Sequence, residues 1–133
     1  ANPKVAGAEG VIVTPHLGAS TEESEDNCAI MAVKEIRDFM ENGNIRNSVN
    51  FPNCDMGMCS AKGRITICHR NIPNMLSQFT KVMGDAGVNI SDLVNKGKGD
   101  YAYTMMDLES PSTEEMAKLL EQVKGVLRVR IVK

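Results

Sequence analysis

From Gly63 onward the hydrophobic pattern switches between a two-residue period and a helical one in a fixed order, and few folds satisfy that order. Ile65 and Ile67 alternate with Arg64 and Thr66, which predicts a strand ending at His69. Pro73 suits the first turn of a helix in which Met75, Leu76, Phe79, Val82, Met83 and Ala86 form one stripe up to the Gly87 stop. A second strand starts at Val88 and a third spans roughly Tyr101 to Glu109, with Lys96–Asp100 between them as a hairpin turn by composition. Ser112 with Glu115 has the capping-box spacing, Met116, Leu119, Leu120 and Val123 supply the next apolar face, and Lys124-Gly125 ends it. Leu127, Val129 and Ile131 then alternate with Arg128 and Arg130, a half-buried antiparallel strand. The order βαββαβ is the split βαβ, or ferredoxin-like, arrangement of an α+β domain with both helices on one sheet face. On this reading the other face is free, and an edge strand is open to partners.

The first sixty residues read differently. Gly10-Val-Ile-Val-Thr14 is a short β-branched run of the kind found in buried parallel strands, stopped by Pro15. Ser20 and Glu23 form a second capping-box pattern, predicting a helix from about Thr21 to Glu41 that ends at Asn42-Gly43. Its stripe of Ala29, Ala32, Val33, Ile36, Phe39 and Met40 needs a cover that one strand cannot give, so this piece is expected to dock on another domain or on a second chain. Between Asn42 and Gly63 periodicity is lost and Asn, Gly, Pro and Ser accumulate, as in a linker, with Ser48–Pro52 briefly extended. The expected organisation is therefore a strand and long helix over 1–42, a linker over 43–63 and a folded domain over 64–133.

Composition narrows the chemistry. A net charge of -2 without a basic stripe argues against nucleic acid or an anionic membrane as partner. No apolar run approaches the ~20 residues of a membrane span and no leader pattern opens the chain, so a cytoplasmic location is expected. Cys28, Cys54, Cys59 and Cys68 lack CxxC spacing, and reduced thiols are the default. Cys54 and Cys59 admit a metal or redox pairing, but two ligands fall short of the four of structural zinc, and no metal is expected.

Two constellations carry possible chemistry. At the end of the first predicted strand, His69-Arg70-Asn71-Ile72-Pro73-Asn74 leads into a helix N-terminus, where free N–H groups favour a carboxylate. His69 adds a donor, and the amide oxygens of Asn71 and Asn89 are acceptors of the kind an ammonium group requires. Together they suit an amino-acid zwitterion. The alternative is local: Asn71 as a helix cap, Asn89 in a turn and His69 as a strand-end polar residue. His16 follows Thr14-Pro15, and nothing beside it in sequence serves as nucleophile or orienting carboxylate. No GxGxxG phosphate loop is present, so no dinucleotide is bound by the usual route.

With these residues in view, Val11-Ile-Val-Thr-Pro-His16-Leu-Gly-Ala-Ser-Thr21, the acidic-capped helix after it and Ser48-Val-Asn-Phe-Pro52 resemble the end of the catalytic region of D-2-hydroxyacid dehydrogenases. The fuller match is to the C-terminal part of D-3-phosphoglycerate dehydrogenases, with Arg64 to Lys133 resembling their ACT domain, an amino-acid-sensing module. The resemblance implies that His16 is the acid/base histidine of a parent enzyme that oxidises 3-phosphoglycerate with NAD in L-serine biosynthesis, and that Gly18 and Ala19 lie near the nicotinamide. The glutamate that pairs with that histidine, the substrate arginine and the dinucleotide fold have no counterpart in this sequence. The chain by itself is expected to be inactive and to hold no NAD.

In serine-sensing members, the ligand is held by a histidine ending the first ACT strand, an asparagine two residues later and an asparagine opening the second strand. Those roles fall on His69, Asn71 and Asn89. Where the family often has Pro-Gly, this sequence has Pro73-Asn74, which brings a side chain into the ligand's space and leaves open an effector other than serine. The resemblance also implies a homodimer through ACT edge strands, with effector sites at the junction. The alternative is an ACT module that only holds an oligomer together.

Overall fold

The computed structural model describes residues 8–18 and 20–133. The chain divides into two compact units, Ala1–Val33 and Lys34–Lys133. The division falls inside the first helix, whereas the sequence placed it after residue 42.

In the first unit, Gly10–Thr14 is not a strand: it runs as a turn and coil, with Gly10 at φ +80° and Val11 N–H donating to Ala8 O at 3.1 Å. No strand among the described residues pairs with it, and an unpaired run leaves its ladder groups to solvent. Helix α1 (Glu22–Asn42) starts one residue later than its capping pattern implied. Thr21, not Ser20, is the cap: its Oγ1 accepts from Ser24 N–H at 3.2 Å, three residues on. Glu22, Glu23 and Glu25 lie in the first turn, where they favour the positive end of the helix dipole. The helix buries none of its residues, and Val33, Ile36 and Met40 of the expected stripe are all exposed.

The second unit is the βαββαβ domain. Strands β1 (Gly63–Arg70), β2 (Ile90–Lys98), β3 (Tyr101–Leu108) and β4 (Val126–Ile131) form one antiparallel sheet in the order β2-β3-β1-β4. Helices α2 (Met75–Asp85) and α3 (Glu114–Glu121) cover one face. Between them lie Ile65, Ile67, Phe79, Met83, Met106, Leu108 and Leu120, all fully buried. Each such side chain contributes about 1.5–3 kcal/mol by leaving water. Helix α2 stops where Gly87 takes φ +70° and Val88 N–H reaches back to Met83 O. The hairpin between β2 and β3 is tighter than its composition implied, only Gly99-Asp100 turning. In α3 the cap is again the second hydroxyl of a pair: Thr113, not Ser112, accepts from Met116 N–H at 3.3 Å. On β4 the register slips opposite Cys68 and His69, so Leu127 leaves the alternation and stands half exposed.

The opposite sheet face is not free. Residues expected to be a bare linker fold onto it through a bridge in which Ile45 N–H donates to Cys54 O at 2.8 Å and Cys54 N–H to Ile45 O at 3.0 Å. Ile45 and Cys54 are buried there with Tyr103 and Met105, and Phe39 and Phe51 pack against them. Ser48–Pro52 belongs to this loop and forms no strand. Arg64 and Asp107 face each other across β1 and β3 as a buried bidentate pair, Nη2 to Oδ2 at 2.8 Å, and Arg64 Nη1 also donates to Asn42 O and Gly57 O. That pairing with Asp107 raises the guanidinium's already high pKa. No helix among the described residues is long and apolar enough to cross a membrane.

Candidate functional site

The end of β1, the start of α2 and the middle of β2 enclose a depression of about 350 Å³ lined by His69, Asn71, Asn74, Ser77 and Asn95, with Ile72, Met75 and Leu76 as its apolar wall. Alternation along β1 turns His69 toward the helix face, where it is 2% exposed and its ring lies edge-on to Phe79 at 5.1 Å. Its Nδ1 is 2.8 Å from Arg70 O and its Nε2 is 2.8 Å from Thr104 Oγ1. Both ring nitrogens are therefore engaged within the fold.

Asn71 does not cap α2. Its Nδ2 donates to Gly99 O at 3.1 Å and its N–H to Asp100 O at 2.9 Å, so it ties the end of β1 to the β2–β3 turn. Gly97 makes room for it, since a Cβ there would lie 2.8 Å from Asn71 Nδ2. The N-cap is Asn74, in the left-handed region at φ +69°, and it gives α2 no side-chain cap. Pro73 therefore lies before the helix and not in its first turn. The first N–H groups of α2 have no capping side chain, the residues that carry them, Met75, Leu76 and Ser77, line the depression, and Asn74 instead takes the Ser77 hydroxyl.

His69 and Asn71 are brought together, and Asn89 is not. Asn89 precedes β2 beside Leu108 and Glu109, whereas His69 and Arg70 face Ala102 and Tyr101 at the other end of β3. About seven residues of strand separate the two ends, roughly 23 Å at the usual rise. Asn95, which sequence reasoning missed, lines the depression from β2 with its side-chain amide 2.8 Å from the Thr104 hydroxyl. Its signal was an amide on the helix-facing side of a Leu-Val strand, in register with a threonine.

His16 is exposed in a bend and Gly18 is exposed in a turn, while Ala19 lies outside the described residues. A Cβ on Gly18 would meet nothing within 4 Å, so the described residues supply no cradle for NAD around it. Cys54 is buried, and burial pushes its thiol up to about 11, the reverse of a reactive or metal-binding thiolate. Among the described residues no group of three or more His, Cys, Asp or Glu is placed to hold a metal.

No family model matches the chain. It is 25% identical over 126 residues to D-3-phosphoglycerate dehydrogenase of Escherichia coli (strain K12), covering 93% of the chain and 30% of that protein. It is 29% identical over 117 residues to D-3-phosphoglycerate dehydrogenase 2 of Saccharomyces cerevisiae, covering 85% of the chain and 24% of the relative. The chain thus spans less than a third of the length of these relatives. Among solved structures, the ACT domain from GTP pyrophosphokinase of Chlorobium tepidum aligns with a TM-score of 0.44 and 24% identity over 52% of the chain and 94% of that domain. By sequence the chain is related, along nearly its whole length, to the C-terminal part of D-3-phosphoglycerate dehydrogenases, and it carries an α+β domain of ferredoxin-like βαββαβ order.

Proposed function

We propose that this chain is the regulatory C-terminal part of a cytoplasmic, NAD-dependent phosphoglycerate dehydrogenase, and that it binds a small amino acid, L-serine first among them, as effector. In the whole enzyme His16 would be the acid/base histidine, with Gly18 and Ala19 beside the nicotinamide. NAD would supply hydride transfer when bound, and the described residues around Gly18 form no cradle for it. The observation that carries the effector reading is the depression at the start of α2. Uncapped N–H groups and the dipole favour a carboxylate there, and the amides of Asn71 and Asn95 offer polar partners at its rim. Its volume of about 350 Å³ is ample for a small zwitterion.

Asn89 fits this reading as a residue of a second copy. A homodimer joined through ACT edge strands, on the β2 side here, would bring one chain's Asn89 toward the other's α2 depression. Effector binding would then favour one arrangement of the pair and bias the distant catalytic clefts, which requires different affinity in the two arrangements.

A second reading, an ACT module that only holds an oligomer together, draws on the same geometry. His69 and Asn71 already have partners within the fold, as purely structural residues would. Assay of the full-length enzyme with 3-phosphoglycerate and NAD separates the two. The effector reading expects L-serine to lower the rate in the wild type and to lose that effect in Asn89→Ala; a rate indifferent to every small amino acid leaves the structural reading.

A further inference from the structure

Resting on the effector reading above, we infer that Asn95, oriented through Thr104 by His69, is a ligand-contacting residue that presents its amide oxygen to the ammonium group of the bound amino acid.

The hydrogens available along one chain of contacts fix the orientation of the Asn95 amide. Arg70 O can only accept, so His69 Nδ1, at 2.8 Å, carries a hydrogen. The ring is buried, its other partner is a hydroxyl, and no carboxylate touches either nitrogen, so the neutral form suits the site. A neutral ring with Nδ1–H has a bare Nε2, which must accept the Thr104 hydroxyl at 2.8 Å. That hydroxyl has one hydrogen. Once it is directed to His69, Thr104 Oγ1 can only accept from Asn95, 2.8 Å away, and the amide must turn its NH2 toward Thr104. The opposite orientation, with Thr104 donating to Oδ1, requires hydrogens on both His69 nitrogens and a buried imidazolium without a counter-charge.

The consequence falls on the depression. Asn95 is half-buried and lines it, and the amide atom not engaged by Thr104 has no other partner among the described residues yet is not sealed from solvent. With NH2 on Thr104, that atom is the oxygen, an acceptor facing the same space as the donors of α2. A carboxylate on the helix end and an ammonium on Asn95 are the two ends of one α-amino acid. His69 is then a positioning residue, which fixes the amide without touching the ligand.

The test uses the 133-residue chain, with calorimetric titration of L-serine, glycine and L-alanine, and of glycerate, in which a hydroxyl replaces the ammonium. For Asn95→Leu the expected result is a loss of about tenfold or more in amino-acid affinity, as for a charged hydrogen bond, and collapse of the preference for serine over glycerate. Nitrogen-15 spectra of the His69 ring should show a neutral Nδ1–H tautomer. Wild-type affinity and preference in a folded Asn95→Leu protein, or a doubly protonated ring, overturns the assignment while the effector reading stands. A wild type that binds none of the amino acids overturns both.

Discussion

At the scale of single residues, two glycines show how tightly local chemistry is written. Gly63 opens β1 beside the turn that leads into α3, and a Cβ there would stand 2.5 Å from Ser110 O and 2.7 Å from Ser112 N. Both are backbone atoms and cannot swing aside. Gly63→Ala should therefore destabilise by about 1–3 kcal/mol in urea unfolding, as overpacking does. Gly97→Ala places its Cβ against the tip of the Asn71 side chain, which can rotate, so stability should change by about 0.5 kcal/mol or less. Equal losses from the two would contradict the packing described. Neither role was legible in the sequence, where both read as ordinary turn or strand-end glycines; the clash comes from chain segments that meet only in the folded sheet.

At the scale of elements, the end of α1 is held by other parts of the fold. Its last turn has no basic residue of its own, although the carbonyls there carry the negative end of the dipole. The charge comes from the sheet. Arg130 donates to Phe39 O and Met40 O and lies 4.6 Å over the Phe39 ring, Arg64 donates to Asn42 O, and the Tyr103 hydroxyl donates to Gly43 O at 2.7 Å. Burial pushes the Tyr103 phenol up to about 12, so it stays a donor through the physiological range. Arg130→Ala should cost about 1–2 kcal/mol and speed hydrogen exchange of the last α1 amides more than those of α2. Uniform exchange along both helices would remove the clamp. Sequence placed α1 within a residue of its observed ends because Gly43 punctuates it; it missed the clamp because Arg64 and Arg130 sit at strand positions that alternate with apolar residues and so read as solvent-facing. The caps slipped by one for a related reason: Ser20-Thr21 and Ser112-Thr113 each offer two adjacent hydroxyls, and spacing alone does not choose between them.

At the scale of the whole molecule, the alternating periods after Gly63 were enough to read the strand order's class, since each element's face is set by local pattern. The second layer over the sheet was hidden, because the loop 43–56 has no period of its own and packs only by tertiary contact. Tyr101–Leu108 held the available clue, a strand buried on both faces through nearly all its length. The site divides the same way: His69 and Asn71 share one strand end, but Asn89 is at the far end of the sheet, and no rearrangement short of unfolding joins them within one chain. A composite site in a twofold dimer would resolve this, because a residue reaching across one way must be matched by its copy reaching back. Mixing chains tests it. Asn71→Ala and Asn89→Ala homodimers should each bind serine weakly at both sites. In a refolded equal mixture about half the dimers are mixed, and each has one site with both asparagines intact and one lacking both, so about a quarter of wild-type capacity should return. Titration recovering none of it, with mixed dimers confirmed by mass, would mean that Asn89 does not act across the twofold.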